Sequence, residues 1–520
     1  MTIGSIAGLV RRHAQERPDR PALTAEGRTY SFAELDRRSS RVAQALLAEG
    51  VQPEDRVAFL DKNSPEYFDV LLGGGKLNAV NVAINWRLAA PEVAHIVNDA
   101  QAKVFVVGRE LVPVLDAVEA ELTTVTKVVV VGGHERHQAY EDWVAPHAAE
   151  DPGVEAGPED VAFQLYTSGT TGLPKGVELT NRNVFSLMPK VVAHWGLEGD
   201  SRTLLPMPLF HIAGAGFATA GLFVGGHTVL LRDVDPARML ALTVEQQITH
   251  LGAVPAILQL MLAMPGIERM DFAALRYVIY GASPISREVL SRAMAAFGCD
   301  FVQMYGLTET TGAIAMLLPE DHVLDGPHAR RLQSAGRLIA GVEVRIVAPE
   351  TSSDAAPGEV GEIWCRTDQN MKGYWRRPEE TALTLGADGW LRTGDAGYLD
   401  GDGYLYIHDR VKDMIISGGE NIYPAEVENV LMSHPAVADV AVIGVPSETW
   451  GETVKAVVVR AAEEDPAPEA IIAWARDLLA HYKCPTSVDF LDVLPRNPSG
   501  KLLKRELRAP YWEGRVRAVS

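Results

Sequence analysis

One stretch restricts the architecture more than any other. Residues 161–165 form a short apolar run, 166–176 read YTSGTTGLPKG, and 177–179 are largely apolar again. Apolar runs this short, bounded by turn residues, read as buried strands. The segment between them therefore joins two strands. It sets Thr167, Ser168, Thr170 and Thr171 among Gly169, Gly172 and Gly176, with Lys175 behind Pro174. Glycines let successive backbone N–H groups converge, hydroxyls add donors, and a lysine adds positive charge. Together these groups suit a polyphosphate. The string is not a Walker loop, because Pro174 stands where the second glycine belongs and Gly176 where Ser or Thr would hold magnesium. A strand rather than a helix follows, so the loop is expected to close over phosphates as a flap.

The remaining pattern extends this picture. A length of 520 residues suggests about three folding units. Ser31 and Glu34 form a capping box before a helix that Gly50 closes. Strands are expected over 57–60, 80–84, 103–107 and 127–131, and helices over 65–75, 91–99 and 112–122. Such alternation predicts a mostly parallel sheet covered by helices. After an acidic, Gly- and Pro-containing connection at 151–160, a second α/β region runs to about 340. Residues 341–408 suggest a β-rich subdomain. From Lys412 the pattern becomes a small α+β unit, with helices over 424–433 and 468–481 and strands over 414–417, 439–443, 455–460 and 488–493. The expected fold class is α/β: a large multi-subdomain N-terminal domain, 1–411, with two α/β sheets and a β-rich part, then a small mobile α+β C-terminal domain, 412–520.

Six further segments carry chemistry: PLFHIAG (208–214), YGASP (280–284), QMYGLTET (303–310), WLRTGD (390–395), DRVKDMIISGGENIYPAEVE (409–428) and PRNPSGK (495–501). In the third, Tyr305 can stack on a flat base, Gly306 permits close approach and Thr308 can donate to phosphate. Glu309 offers a hard anionic oxygen suited to magnesium. Read alone, Glu309 would be a solvated helix carboxylate. Asp395 follows Thr393 and Gly394 in what reads as a turn, where a carboxylate can accept from two adjacent hydroxyls such as a ribose diol. Lys501 lies in a Pro/Asn/Ser/Gly-rich loop.

Together with YTSGTTGLPKG, these segments, in this order, resemble the acyl-adenylate-forming superfamily, in its acyl-CoA synthetase branch, over nearly the whole chain. The resemblance implies an ATP-dependent acid–CoA ligase. A carboxylate and Mg·ATP would give acyl-AMP and pyrophosphate, and the thiol of coenzyme A would then displace AMP. It implies that Thr167, Ser168, Gly169, Thr170, Thr171 and Lys175 hold phosphates, and that Gly281, Ala282 and Ser283 lie along adenine and the acyl carboxylate. Gln303, Met304, Tyr305 and Gly306 would border the nucleotide, with Thr308 near the α-phosphate and Glu309 on Mg²⁺. Asp395 and Arg410 would meet the ribose. Lys501 would orient the carboxylate and offset charge developing at the α-phosphate. Lys412 falls at the hinge, about which the tail would rotate to withdraw Lys501 and present 418–421 to the thiol. The sequence departs from plant coumarate ligases and luciferases at Ile416, where those carry a lysine. His211 resembles a gate beside the acyl pocket, which Gly214, Gly281 and Gly306 would also line.

The segments expected around that pocket, 207–216, 252–258, 281–284 and 304–315, contain no Lys or Arg. A buried second carboxylate needs a cation, so an apolar acid is expected: a medium- or long-chain fatty acid, with an aryl acid second. Gly214, Gly216, Gly252, Ala253, Gly312 and Ala313 are expected to leave room for it. The chain ends without an appended carrier domain, which favours free coenzyme A over a carrier protein. A stand-alone acyl-AMP ligase loading a separate carrier, and a non-catalytic acyl-adenylate sensor, are the alternatives. Net charge is −20, which argues against nucleic acid as a partner. No apolar run approaches the ~18 residues of a membrane helix. Widely spaced Cys299, Cys365 and Cys484 give neither a disulfide framework nor a metal-ligand spacing, in keeping with a cytoplasmic protein. A homodimer is compatible with these features.

Overall fold

The computed structural model describes the chain except residues 1–2, 169–173, 284, 349–352, 411–412, 418–419, 448, 463, 497–501 and 514–520. Two compact units are distinguished: Met1–Glu343 with Arg366–Leu391, and Val344–Cys365 with Arg392–Ser520.

The first unit holds two large sheets. One runs, in spatial order, Gly373–Tyr374, Pro174–Thr180, Val161–Ser168, Val80–Ala83, Arg56–Leu60, Val104–Gly108, Lys127–Val131 and Gln138–Ala139. Its strands from Val161–Ser168 to Gln138–Ala139 are parallel; the two at the other edge are antiparallel. Every residue of Arg56–Leu60, Val80–Ala83 and Val104–Gly108 is buried. Such strands must be apolar on both faces, which explains their Val-, Ala- and Phe-rich composition. Each buried Val, Leu or Phe contributes roughly 1.5–3 kcal/mol. The second sheet runs Arg337–Leu338, Gly312–Leu317, Asp300–Leu307, Tyr277–Gly281, His250–Ala253, Arg202–Leu205, His227–Leu230, Pro21–Ala25 and Arg28–Ser31.

The expected helix caps and strands appear with modest shifts. Ser31 Oγ accepts from Glu34 N at 3.2 Å and starts the helix Phe32–Ala48. The Glu34 carboxylate turns to Arg28 instead of completing the box. The helix expected over 112–122 ends at Val118 and tightens into a 3₁₀ turn, Glu119–Glu121.

The second unit contains the four-stranded sheet Glu343–Val347, Gly361–Arg366, Leu391–Leu399 and Leu405–Arg410, and a smaller sheet of Glu420–Ile422, Ile415–Ser417, Gly451–Arg460, Val437–Ser447 and Ser487–Phe490. This division differs from the 1–411 and 412–520 expected above. The β-rich region groups with the tail because the helix Pro424–Met432 packs toward Leu405–Arg410, with the His408 and Tyr423 rings edge-on at 5.1 Å. One face of the smaller sheet buries Ile415, Val427, Leu431, Val442, Val458 and Ile471. The other covers Ala441, Ile443 and Val457 with Leu494 and the terminal helix Lys504–Trp512 through Leu507 and Tyr511. Among the described residues no helix is long and apolar enough to cross a membrane.

Candidate active site

The strands Val161–Ser168 and Pro174–Thr180 form an antiparallel hairpin, with Tyr166 opposite Gly176, Thr167 opposite Lys175 and Ser168 opposite Pro174. The glycine- and hydroxyl-rich string therefore falls between the two arms of a hairpin. Gly169, Thr170 and Thr171 lie outside the described residues. Register alone brings Thr167 and Lys175 to one rung.

Sequence reasoning missed the groups that surround this rung. The two-residue strand Gly373–Tyr374 pairs antiparallel with Pro174–Thr180, Gly373 opposite Glu178 and Tyr374 opposite Val177. Tyr374 Oη then donates to Glu309 Oε1 at 3.0 Å. The Lys175 ammonium stands 5.2 Å from the Tyr374 ring centroid and pairs with Glu380. The Tyr374 hydroxyl is pushed well above its ordinary pKa, first by burial and then by the Glu309 charge, so it stays protonated and can donate. Glu309 sits in the short 3₁₀ turn Thr308–Thr310, and its backbone carbonyl accepts from Met371 N at 2.8 Å. Thr308, Glu309, Tyr374, Lys175 and Thr167 are thus brought together by sheet pairing and one turn.

Beneath the hairpin lies a buried charge network. Arg56 Nη2 donates to Glu178 Oε1 at 2.9 Å and Arg56 Nε to Gln164 Oε1 at 3.0 Å. The Arg56 guanidinium lies 3.5 Å from the Trp375 ring centroid. Gln164 Nε2 donates to Tyr166 Oη, which donates to Asp99 Oδ2 at 2.7 Å. Trp375 Nε1 donates to the Asp99 carbonyl at 2.8 Å. Burial lowers the Arg56 pKa and raises that of Glu178, each opposed by the partner's charge. A close ion pair with additional hydrogen bonds to Arg56 meets the condition for keeping both groups charged. A basic residue at the start of one buried strand, and an acid inside another apolar run, were the available signal for this pair.

On the neighbouring sheet, the parallel strands Tyr277–Gly281 and Asp300–Leu307 end side by side, Gly281 opposite Met304. A Cβ on Gly281 would lie 2.4 Å from Met304 O, and one on Gly306 1.8 Å from Gly312 O. Both positions are glycine because backbone fills the space. Ala282 follows at φ +67°, a left-handed conformation uncommon outside glycine, and Ala282 and Ser283 are exposed. A strained Ala282 and an exposed Ser283 past the carboxyl end of a strand suit a ligand edge. Gln303 accepts from Tyr280 Oη at 3.5 Å, and Tyr305 stands opposite Ala315.

His211 caps the helix Ile212–Val224, its ring 4.4 Å from Phe210. Its Nε2 is buried with no hydrogen-bond partner among the described residues. Burial, with a smaller push from Arg87, lowers its pKa to about 4, so the ring is neutral near pH 7. The room expected at Gly214 and Gly252 is absent. A Cβ on Gly214 would meet Pro208 O at 2.1 Å and one on Gly252 the Met207 methyl at 2.6 Å, whereas Gly216 faces open space. Gly214 is small so that its helix can approach the 207–208 backbone.

In the second unit, Asp395 lies inside the strand Leu391–Leu399 and stands opposite Arg410 in the antiparallel pair with Leu405–Arg410. This corrects the expected turn: the strand runs on through Gly394, at φ +69°, into the pairing that begins at Asp395. Asp395 is buried and its N–H donates to Thr393 Oγ1 at 3.1 Å; Thr393 in turn donates to Ile363 O at 2.7 Å. Lys412 and Lys501 lie outside the described residues. The flanks of the lysine loop are joined by a bridge between Arg496 and Leu502, with Arg496 on Asp439 at 2.7 Å. Lys483 is engaged by Glu426 at 2.6 Å.

Magnesium fits these residues. Glu309 offers a hard carboxylate, one of whose oxygens is oriented by Tyr374, and Mg²⁺ usually takes one or two carboxylates together with substrate phosphates. No group of three or more His, Cys, Asp or Glu side chains that could hold a metal ion occurs among the described residues.

The AMP-binding enzyme family model matches residues 10–375, and the model for the C-terminal domain of AMP-binding enzymes matches 426–501. A fatty acid–acyl-carrier-protein ligase of Streptomyces coeruleorubidus is 42% identical over 98% of this chain and 96% of its own. A feruloyl-CoA synthase of an Amycolatopsis species is 40% identical over 96% of this chain and 98% of its own. The crystal structure of ATP-bound MatB from Rhodopseudomonas palustris superposes with a TM-score of 0.89 at 31% identity, covering 97% of this chain and 99% of that one.

Proposed function

This chain belongs to the AMP-binding enzyme family, in its acyl-CoA synthetase branch, and we propose that it joins a medium- or long-chain fatty acid to coenzyme A at the expense of ATP. The observation that carries the ATP half is the cluster in which strand register sets Lys175 opposite Thr167 and beside the Tyr374–Glu309 hydrogen bond. A cation and hydroxyl on a glycine-rich hairpin bind phosphate oxygens. Glu309, with one oxygen fixed, would hold Mg²⁺, which neutralises phosphate charge when bound.

Lys501 orients the acid's carboxylate for in-line attack on the α-phosphorus; the bond to pyrophosphate breaks and acyl-AMP remains. The tail turns about Lys412, and the thiol sulfur then attacks the acyl carbon and AMP leaves with the bonding electrons. Asp395 and Arg410 hold the ribose during both steps. A neutral His211 borders the acyl group without presenting a charge to it, which fits an apolar acid better than a dicarboxylate.

The 42% identical relative is named for a carrier-protein acceptor, so carrier loading is the second reading; an aryl acid is the second substrate class. The test is a panel of fatty, aryl and dicarboxylic acids with ATP and either coenzyme A or a holo carrier protein, read as AMP and thioester. AMP and acyl-CoA from C8–C18 acids support the proposal. Thioester only on the carrier moves the acceptor, and no pyrophosphate with any acid removes the enzymatic reading.

A further inference from the structure

Lys175 is the cation that the phosphate loop supplies, yet its ammonium already has an anionic partner. It pairs with Glu380, and the two side chains are only 13% and 30% exposed. This is not a loose surface contact. Antiparallel pairing fixes Lys175 opposite Thr167 on one side, and the strand Pro174–Thr180 pairs with Gly373–Tyr374 on the other. Glu380 lies on the short helix Pro378–Thr384, which Thr381 fastens to that strand: its Oγ1 accepts from Tyr374 N at 2.9 Å and donates to Arg377 O at 2.8 Å. Strand, helix and ion pair therefore form one block. Around the Tyr374 ring stand one ammonium, Lys175, and two carboxylates, Glu309 and Glu380. Among the described residues these three groups carry one negative charge in excess before any nucleotide arrives, and a polyphosphate brought to Lys175 meets that excess.

One carboxylate has to yield. Glu309 is the less able, being held through its side chain by Tyr374 Oη at 3.0 Å and through its backbone by Met371 N at 2.8 Å. Glu380 has Lys175 as its charged partner. We propose that Glu380 is a resident counter-ion for the phosphate-binding lysine, which ATP must displace, so that this carboxylate sets the enzyme's ATP affinity. The inference rests on the ATP-binding reading above. A like-charge competitor at a half-buried site is screened less than one in open water, so its removal should be measurable.

The consequence has an unusual sign. Glu380→Gln keeps the shape and removes the charge, so Mg·ATP should bind three- to tenfold more tightly, with the KM for ATP falling by the same factor. A merely structural role for Glu380 predicts the reverse, because a loosened hairpin binds more weakly. Isothermal titration with Mg·ATP and with a non-hydrolysable α,β-methylene analogue, in the absence of acid, reads the first quantity on the full chain. Pyrophosphate release reads the second. Should Glu380→Gln fail to fold, Glu380→Asp withdraws the carboxylate by one methylene and should tighten binding in the same direction by a smaller factor. Equal or weaker binding in a folded variant overturns the counter-ion assignment. A wild-type chain that binds no Mg·ATP overturns the ATP reading itself, and the two failures are thereby distinct.

Discussion

The phosphate-loop hairpin of the first unit and the Asp395 strand of the second hold their functional candidates by different means. At the hairpin, side chains do the holding. Tyr374 grips Glu309, Glu380 pairs with Lys175, and an Arg56–Glu178 pair lies beneath. At the strand, the backbone ladder sets the register. Asp395 and Arg410 are brought opposite by the ladder, and Thr393 ties the strand to Ile363 through a carbonyl. A site that must bind a variable, highly charged group is built from charges that can exchange partners. A site proposed to meet a fixed, neutral sugar, as Asp395 and Arg410 are, can be built into a strand. If that contrast is right, the hairpin should respond to charge substitutions and the strand to backbone ones.

The largest effect is expected from a residue supplied by neither strand. Lys501→Ala should reduce acyl-AMP formation by about a thousandfold, the upper range for removing a group that stabilises developing negative charge. It should leave thioester formation from pre-made acyl-AMP within a few-fold of wild type. Single-turnover assays of each half-reaction separate the two, and equal loss of both would refute an alternating tail.

The second effect is on stability and bears on the buried pair. Arg56→Met leaves Glu178 uncompensated beneath the hairpin and should cost about 3–5 kcal/mol, whereas the double variant Arg56→Met/Glu178→Leu should recover much of that loss. Denaturant titration of the single and double variants measures it. Single and double variants of equal stability would mean that the pair contributes packing, through Arg56 on Trp375, and not charge.

These two residues also show where sequence reading stops. The hairpin itself was legible, because a glycine- and hydroxyl-rich string between two apolar runs has few ways to fold. So was the Ser31 cap. Tyr374 was not, since a two-residue strand is too short for any periodicity and its partner Val177 lies far back in the chain. Glu380 was hidden because it sits on a short helix, Pro378–Thr384, far along the chain from its partner Lys175. Small residues mislead in a different way: Gly214 and Gly252 are expected to leave room, and each is small because Pro208 O or the Met207 methyl already occupies that space, whereas Gly306 does permit the close backbone approach expected of it. Composition reports size, and only tertiary contact says whether the gap is filled.

Acid should separate the two units. His211, His227 and His250 have pKa values lowered to about 4, chiefly by burial, and His13 and His322 are lowered for the same reason. All five lie in the first unit. The unfolded chain takes up these protons near pH 6.5, while the folded chain refuses those of His211, His227 and His250 until about pH 4 and takes up those of His13 and His322 only below the ordinary histidine range. Stability is therefore present above pH 6.5 and lost progressively as pH falls between those values. For fully buried His250 alone the loss approaches about 3 kcal/mol by pH 4. Calorimetry from pH 7.5 to 5 should show the transition of the first unit moving to lower temperature. Replacing His250 by Gln should flatten that slope, and an unchanged slope would assign the acid sensitivity elsewhere.

The smallest effect tests the contrast most directly. Tyr374→Phe removes one hydroxyl, the donor to Glu309, and leaves the ring beneath Lys175. A hydrogen bond to a charged group contributes about 1.5–3 kcal/mol at most, and less where water can replace it. A half-buried site such as this one should therefore lose about three- to tenfold in kcat/KM, with a higher Mg²⁺ concentration for half-maximal rate, because a freed carboxylate must be ordered by the ion itself. Thr393→Val is the matching change in the second unit: it deletes the hydroxyl that reaches Ile363 O and Asp395 N. The ladder between Leu391–Leu399 and Leu405–Arg410 still carries Asp395 opposite Arg410. Its magnesium requirement should therefore match wild type. A Thr393→Val enzyme that needed as much added magnesium as Tyr374→Phe would show that the two regions are not held by different means, since loss of either hydroxyl would then loosen the same metal.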